Sequence, residues 1–194
     1  DGVVEDVLAV GRQPSTVVAD PSAARAFVLN VLDKSVSVLE GRQVVDTWDL
    51  PEASTAACLA AGDLWVATVS GEVLRLSTAD GTLLERVKLS ASGAVYAVGA
   101  SADGTRIYAT GFDHLYILGT DPLQELASVA VSAYRTLGLS PDGARVFVAG
   151  YDSGSGGTYL TAFDAATLEP LQRVPVPSGP GDLAVGHWGE RVYL

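Results

Sequence analysis

Residues 137–176 read LGLSPDGARVFVAGYDSGSGGTYLTAFDAATLEPLQRVPV, and this stretch decides the fold of the chain. Four short apolar runs alternate there with segments rich in Gly, Asp, Ser and Pro. The Asp142-Gly143 pair between two apolar runs predicts a tight hairpin, because glycine adopts a positive φ at no steric cost. The stretch therefore predicts a four-stranded antiparallel meander, with a Gly-rich loop at residues 151–158 between its second and third strands.

The same unit recurs along the chain. An aromatic residue inside an apolar run returns at intervals of about 40 residues, which is typical of a structural repeat. These aromatics are Phe27, Trp65, Tyr108, Phe147 and Tyr193. Arg stands two positions before four of them, and Asp63 takes its place before Trp65. We therefore expect the first four of these aromatics to occupy equivalent places in the second strands of successive sheets, between neighbouring sheets.

The repeat predicts a single all-β domain, a β-propeller of four-stranded antiparallel blades. Four full blades are predicted at residues 14–50, 53–89, 94–131 and 135–176. Third strands such as residues 35–39 alternate apolar with polar residues, which predicts strands buried on one face only.

The two ends of the chain are predicted to be parts of incomplete blades. Residues 1–10 are expected to form the last strand of a preceding blade, with a strand at 3–8, and residues 182–194 the first two strands of a further blade. One strand is missing between these two pieces. We therefore expect the chain to be part of a larger ring, the alternative being a five-bladed ring that lacks one strand.

The composition is that of a globular protein and argues against nucleic acid as a partner. Apolar residues make up 48% of the 194 residues and charged residues 18%, which suffices for a core. The formal net charge is -11, whereas phosphate binding needs clustered Lys and Arg. The apolar runs are too short to span a bilayer. Cys58 is the only cysteine, so we expect an inert, buried thiol and no internal disulfide.

The segment LSPDGARVFVA at residues 139–149 resembles the YVTN-type β-propeller repeat, which is WD40-like in architecture. The second half of that repeat resembles residues 159–164 together with Thr167, and residues 31–39 are similar to it as well. The resemblance implies the fold but not the activity. Propellers of this kind occur in surface proteins, in lactonase-like enzymes, in the large subunit of methylamine dehydrogenase and in the haem d1 domain of nitrite reductase. With the low lysine content and a start that looks processed, the resemblance implies a periplasmic or extracellular location.

The sequence offers no catalytic constellation. The two histidines, His114 and His187, fall on opposite faces of the predicted propeller, so they cannot share a metal ion. No zinc-ligand spacing, CxxCH haem motif or GxSxG nucleophile elbow is present. We therefore expect no metal, no cofactor and no catalytic residues, and interpret the chain as a non-catalytic binding or scaffolding propeller. The alternatives are the propeller subunit of a periplasmic oxidoreductase and a lactonase-like hydrolase.

One face of the predicted propeller is the candidate binding surface. Loops between second and third strands emerge on the same face as the connections between blades, and loops on a rigid scaffold tend to carry function. We expect this face to engage a protein partner, with a small ligand as the alternative. The Gly-rich loop is a weaker candidate for cradling an anion, because it has no Lys or Arg and opens no helix. The candidate residues are Asp33, Lys34, Asp113, His114, Tyr134, Arg135, Tyr151, Asp152 and Asp182.

Overall fold

The computed structural model describes residues 7–20, 22–90, 93–131, 134–177, 181–186 and 191–194, with backbone alone at Tyr134 and Arg135. This part of the chain contains eighteen strands and no helix. The strands are β1 (Pro14–Asp20), β2 (Arg25–Asn30), β3 (Ser35–Glu40), β4 (Gln43–Asp49), β5 (Ser54–Ala60), β6 (Asp63–Thr68), β7 (Glu72–Ser77), β8 (Leu83–Lys88), β9 (Ala97–Ala100), β10 (Arg106–Thr110), β11 (His114–Thr120), β12 (Leu123–Ala130), β13 (Tyr134–Leu139), β14 (Arg145–Asp152), β15 (Gly157–Asp164), β16 (Pro170–Pro175), β17 (Ala184–Val185) and β18 (Val192–Tyr193).

The strands form successive antiparallel sheets in which each strand pairs with its neighbour in sequence. Blades 1 to 4 are the sheets β1–β4, β5–β8, β9–β12 and β13–β16, and β17 pairs with β18 in a two-stranded sheet, blade 5. The chain thus folds as a β-propeller of four-stranded blades, as the repeat predicts.

The repeated aromatics lie between neighbouring blades, as expected. Phe27 of blade 1 packs with Leu64 and Leu74 of blade 2. Trp65 of blade 2 occupies the corresponding place against blade 3, Tyr108 of blade 3 lies against blade 4, and Phe147 of blade 4 lies against blade 5. All four side chains are buried. The same strand position therefore supplies the large side chain of every junction.

The third strands differ from the one-sided burial that their sequence pattern predicts. Ser35, Val36, Ser37 and Val38 of β3 are all buried, and so are all residues of β11 except His114. The two middle strands of blades 2, 3 and 4 each lie between two neighbouring blades, so neither face of these strands is exposed to solvent. Alternation of apolar and polar residues therefore underestimates the burial of these strands.

Two glycines allow the inner strands to approach one another. Gly99 of β9 lies opposite Tyr108, and Gly138 of β13 lies opposite Phe147. A Cβ atom on Gly138 would come within 2.2 Å of Leu183 Cδ2, and one on Gly99 within 2.8 Å of Leu137 Cδ2. Small residues on the first strand thus leave room for the aliphatic side chains of the next blade.

The turns between first and second strands are closed by a repeated hydrogen-bond pattern. In blade 3 the Ser101 hydroxyl donates to Asp103 Oδ1 at 2.6 Å, which also accepts from the Thr105 N–H at 3.0 Å. Gly104 takes φ of 70° and donates its N–H to the Ser101 carbonyl. This is the physical basis of the Asp-Gly signal in the sequence. Blade 4 repeats the pattern at Ser140, Asp142, Gly143 and Ala144.

The predictions for the two ends are only partly covered by the described residues. β17 and β18 pair as a two-stranded sheet through Ala184–Tyr193 and Val185–Val192, where the first two strands of a further blade are predicted. Most of the predicted strand at residues 3–8 lies outside the described residues, and Val7 and Leu8, which are described, are not part of a strand.

We expect Phe27→Ala and Phe147→Ala to destabilise the protein by about 3–5 kcal/mol each, because truncation leaves a cavity between blades. The measurement is urea-induced unfolding. Phe112→Ala is the matched control, since Phe112 is 56% exposed and surface substitutions change stability by about 0.5 kcal/mol or less. Equal losses in all three variants would contradict the interblade position of Phe27 and Phe147.

We expect stability to fall steeply below about pH 4, because turn carboxylates have lower pKa values in the folded chain than in the unfolded one. Hydrogen bonds from the Ser101 hydroxyl and then from Thr105 lower the pKa of Asp103 to about 2. A lowered folded pKa gives stability that is complete above the unfolded pKa and is lost as pH falls through the folded pKa. The pKa values of four other turn carboxylates are lowered in the same way: Asp20, Asp80, Asp142 and Asp164.

Urea midpoints measured from pH 7 to pH 2 test this pH dependence. Asp103→Asn keeps an oxygen acceptor in the turn but removes the ionisable group, so its stability should fall less steeply with acidity than that of the wild type. Identical slopes for the two proteins would contradict the assignment.

Candidate functional site

Two kinds of loop share one end of every blade. In an antiparallel sheet, the loop between the second and third strands lies at the same end as the start of the first strand and the end of the fourth. We call this end the loop face. It is made by the second-to-third-strand loops at residues 31–34, 69–71, 111–113 and 153–156, and by the connections between blades. The opposite end, the turn face, carries the turns closed by Asp and Ser.

The structure places all nine candidate residues at the loop face. Asp33 and Lys34 lie in the loop of blade 1, while Asp113 and His114 lie where the loop of blade 3 enters β11. The backbones of Tyr134 and Arg135 open β13, and Tyr151 and Asp152 close β14. Asp182 lies in the connection that precedes β17, where its carboxylate accepts the N–H of Leu183 at 2.8 Å. These residues form local groups, blade by blade, rather than one converging cluster.

Asp33 is held by an arginine that the sequence pattern did not indicate. Its carboxylate accepts the backbone N–H of Arg12 at 2.6 Å and the Nε–H of the same residue at 2.5 Å. These two hydrogen bonds lower the pKa of Asp33. Arg12 lies just before β1, so the pair ties the entry of blade 1 to the second-to-third-strand loop. A bond across 21 positions in sequence leaves no local signal.

His114 and Asp113 form a second local group. The Nδ1 atom of His114 lies 2.8 Å from Asp113 Oδ1, and the imidazole stacks at 5.8 Å between ring centroids on the buried Tyr116. Asp113 thus orients the ring through Nδ1, and the packing on Tyr116 limits its rotation. The arrangement is a surface histidine beside an aspartate.

The Gly-rich loop is shorter than the sequence predicts, and the carboxylate of Asp152 accepts hydrogen bonds from its turn. Tyr151 and Asp152 pair with Thr158 and Gly157, so β14 and β15 extend into the predicted loop and leave a four-residue turn, 153–156. The Asp152 carboxylate accepts from the Gly154 N–H and the Ser155 hydroxyl, both at 2.9 Å. A carboxylate of the chain therefore occupies the position at which the loop would cradle an external anion.

Arg173 of the neighbouring strand β16 holds this turn through an ion pair with Asp152. Its guanidinium pairs with Asp152 and lies 3.7 Å from the ring centroid of Tyr159. Arg173, and then Ser155 and Gly154, lower the pKa of Asp152. The arginine, which pairs with Asp152 and stacks on Tyr159, holds the turn against β15 and β16.

Exposed apolar side chains accompany these polar groups on each blade. Val69, Phe112 and Tyr151 each stand four positions after the junction aromatic of their blade, and Leu32 lies in the corresponding loop of blade 1. Their relative exposures are 49%, 56%, 51% and 61% in that order. This recurrence becomes visible only when the repeats are aligned on their junction aromatics. Of the four residues, Tyr151 alone is among the candidate residues of the sequence analysis.

The described residues contain no group of three or more His, Cys, Asp and Glu side chains that is arranged to hold a metal ion. His187 lies outside the described residues. Cys58 packs against the junction between blades 2 and 3, and burial raises the pKa of its thiol to about 12. No helix in the part of the chain that is described is long and apolar enough to cross a bilayer.

Comparison with solved structures agrees with the fold. The chain is similar to hydrazine synthase from Kuenenia stuttgartiensis, with a TM-score of 0.86 and 16% sequence identity over 98% of this chain and 58% of that one. It is also similar to a chain of the mitotic checkpoint complex, with a TM-score of 0.76 and 13% identity over 87% of this chain and 53% of that one. The chain thus spans between half and three fifths of these two proteins.

No family model matches the chain, and no curated protein matches its sequence. In contrast, 1220 chains of solved structures match it in fold, so the likeness identifies a widespread architecture. At these levels of identity the likeness specifies the β-propeller alone. Function must therefore be argued from the surface.

We expect Asp152→Ala to raise the hydrogen-exchange rate of the Gly154 amide by about tenfold, because this amide loses a charged acceptor. The Gly156 amide donates to the backbone carbonyl of residue 152 and should change less. NMR-detected exchange measures both amides in one experiment. Asp113→Ala, which removes an acid from another blade, should leave both rates unchanged. Equal acceleration in the two variants would contradict a locally fixed turn.

Proposed function

We propose that this protein is a non-catalytic binding propeller that engages a protein partner through its loop face. The observation that carries the proposal is the presence of an exposed, large apolar side chain in, or directly before, the second-to-third-strand loop of each full blade. These residues are Leu32, Val69, Phe112 and Tyr151.

Exposed apolar residues are ordinary on protein surfaces, and the fourth strand of every full blade carries them too. The loop-face set differs because it includes two aromatic residues, Phe112 and Tyr151. The junction aromatics fill the core, whereas these side chains lie at the ends of the strands or in the loops and are about half exposed. Aromatic residues such as Phe112 and Tyr151 supply much of the binding energy when a partner covers them.

Charged groups beside the apolar side chains determine which partners and which orientations such an interface accepts. Asp113 and His114 follow Phe112 directly, and the Asp152–Arg173 pair follows Tyr151. Arg12 and Arg173 are already engaged by Asp33 and Asp152. With a formal net charge of -11, the protein favours a partner with basic groups over a nucleic acid.

The loop face is pre-organised for binding. Its second-to-third-strand loops are short, they are carried by strands that are buried on both sides, and side-chain hydrogen bonds hold those of blades 1 and 4. A surface of this kind loses little conformational entropy when a partner binds. One of the two similar structures is that of a complex, the mitotic checkpoint complex, which supports the use of this fold in assemblies.

A periplasmic or extracellular location is part of this proposal. It is supported by the likeness of residues 139–149 to the YVTN-type repeat and by the presence of only two lysines, Lys34 and Lys88. Fractionation of the native cells, followed by immunodetection of the protein, tests the location. Recovery with the cytosolic markers would contradict it.

We expect the double variant Phe112→Asp, Tyr151→Asp to lose its protein partner, with affinity weakened by about 30-fold or more, because both substitutions place charge in an apolar contact. The measurement is affinity capture from native extract with quantitative mass spectrometry, followed by a binding titration with the purified partner. Leu126→Asp is the matched control: Leu126 is 52% exposed on β12, away from the loop face.

The control variant and the wild type should recover the same partner in the same amount. If the double variant recovers it equally well while remaining folded, the loop face is not the binding surface. The substitutions at Phe112, Tyr151 and Leu126 should not disturb the fold, because none of these side chains is buried. Such a result would therefore contradict the proposed surface and not the β-propeller fold.

A further inference from the structure

An arginine connects each of blades 1, 2 and 3 to the blade that follows it. Each guanidinium donates from Nη1 to a backbone carbonyl at the end of the third strand of the next blade, or just beyond it. The pairs are Arg25 with Thr78 at 3.1 Å, Arg75 with Thr120 at 3.2 Å, and Arg106 with Ala165 at 3.4 Å. The three arginines therefore have the same role in successive junctions.

Carboxylates pair with the first two of these arginines but not with the third. The ion pairs are Arg25–Glu40, Arg75–Asp63 and Arg75–Glu85, with N–O distances of 2.5, 2.7 and 2.9 Å. Arg106 forms no ion pair with any described residue. The residue opposite it in β11 is Gly119, whereas Glu40 lies opposite Arg25 in blade 1. Arg106 is half-buried and has several N–H donors available to an external acceptor.

A cleft of about 350 Å³ lies beside Arg106 on the turn face, between blades 3 and 4. Residues 101–103 and 105 of the first-to-second-strand turn of blade 3 line it together with Asp142 and Gly143 of the same turn in blade 4. The buried Tyr108 also lines it, and its hydroxyl ties the two blades together by donating to the Ala165 carbonyl at 2.8 Å. Both blades are complete four-stranded sheets. The volume is within the usual range of small-molecule sites, about 300–1,000 Å³.

Two exposed carboxylates line this cleft, Asp103 from blade 3 and Asp142 from blade 4. In each, Oδ1 accepts hydrogen bonds from the serine hydroxyl and a backbone N–H of its own turn. These bonds lower the pKa values of both groups, with the serine as the first cause, so both are ionised at neutral pH. The two Oδ2 atoms form no hydrogen bond within the part of the chain that is described. Each carboxylate therefore has one oxygen that the turn does not use.

The charges of the cleft define the class of ligand. One guanidinium and two carboxylates are complementary to a ligand with one anionic and two cationic groups. A guanidinium binds a carboxylate through two parallel hydrogen bonds, and an ammonium group supplies three donors to carboxylate oxygens. A basic α-amino acid carries this set of groups, namely an α-carboxylate, an α-ammonium group and a cationic side-chain end.

We propose that the cleft between the turns of blades 3 and 4 binds a free basic α-amino acid. The α-carboxylate pairs with Arg106, and the two cationic groups pair with Asp103 and Asp142, one with each. The site needs residues of two neighbouring blades, so it exists only in the stacked propeller. It lies at the opposite end of the blades from the protein-binding surface of the loop face, and the two proposals are independent.

Lysine, norleucine and 1,5-diaminopentane are matched probes of this site. Norleucine lacks only the side-chain ammonium group of lysine, and 1,5-diaminopentane lacks only its carboxylate. The experiment titrates each compound into the isotopically labelled protein at neutral pH and constant ionic strength, and follows backbone amide shifts by NMR. We expect saturable shifts at residues 101–106 and 142–144 with lysine. Binding should be about tenfold weaker or more with either of the other two compounds, because each loses a charged pair.

1,5-Diaminopentane also controls for attraction to the overall negative charge of the protein. It carries two positive charges, whereas lysine carries a net charge of one. Non-specific attraction would therefore favour the diamine over lysine. A specific site with an arginine for the carboxylate favours lysine.

Arg106→Gln tests the role of the guanidinium. It should weaken lysine binding about tenfold or more without weakening that of 1,5-diaminopentane, which has no carboxylate. Arg86→Gln is the matched control, since Arg86 is exposed on β8 of blade 2, away from the cleft. The control should bind lysine as the wild type does. The spectrum of each variant shows directly whether it is folded.

Asp142→Asn tests one of the carboxylates. Asparagine keeps an oxygen acceptor for the turn but removes the charge, so lysine binding should weaken about tenfold or more. Asp80→Asn is the matched control, because Asp80 is a turn carboxylate of blade 2 that accepts the Thr82 N–H in the same way. This control should leave lysine binding unchanged.

Three results would overturn the proposal. Absence of saturable shifts in the cleft would show that no basic amino acid binds there. Binding of norleucine or 1,5-diaminopentane as tight as that of lysine would show that the full set of charges is not read. Equal weakening by a test variant and its matched control would show that lysine responds only to the net charge of the protein.

Discussion

Stacking of blades through both faces of their middle strands is the constraint on which this structure depends. A lone antiparallel sheet of four short strands has no partner for its apolar faces and is marginal in water. Here an aromatic on each second strand fills the space toward the next blade. A small residue opposite it on the first strand, Gly99 or Gly138 in blades 3 and 4, lets that blade approach. Each junction is therefore completed by residues of two successive repeats.

The stacking separates the two ends of the blades into surfaces with different chemistry. On the turn face, Asp and Ser side chains are used by the chain itself, since they close turns with hydrogen bonds to backbone N–H groups. On the loop face the second-to-third-strand loops hold exposed apolar side chains in addition to locally paired charges. The turn face therefore contributes mainly to stability, and the loop face has contact area that the fold does not use.

Blade 1 keeps the backbone pairing of the other blades but carries more polar side chains on the side that faces away from blade 2. The backbone pairing of β2, β3 and β4 follows the other blades, including a bulge in the fourth strand. Only the side chains differ, with Ser37 at the place of Leu74 or Tyr116. The same backbone pairing thus accepts polar as well as apolar side chains, because a sheet positions side chains regardless of their chemistry.

The sequence by itself determined the strands, the turns and the repeat. Asp-Gly pairs, the recurrent aromatics and short apolar runs act locally, so the β-propeller and its junction residues could be predicted. The loop-face position of the candidate residues follows from strand order alone. Tertiary structure alone decided which groups meet: Arg12 with Asp33, Arg173 with Asp152, and Asn30 with Ser35 and Ser37. Burial of both faces of the third strands was likewise invisible to periodicity, because it depends on neighbouring blades distant in sequence. Such contacts leave no periodic signal, since they are set by how the sheets stack.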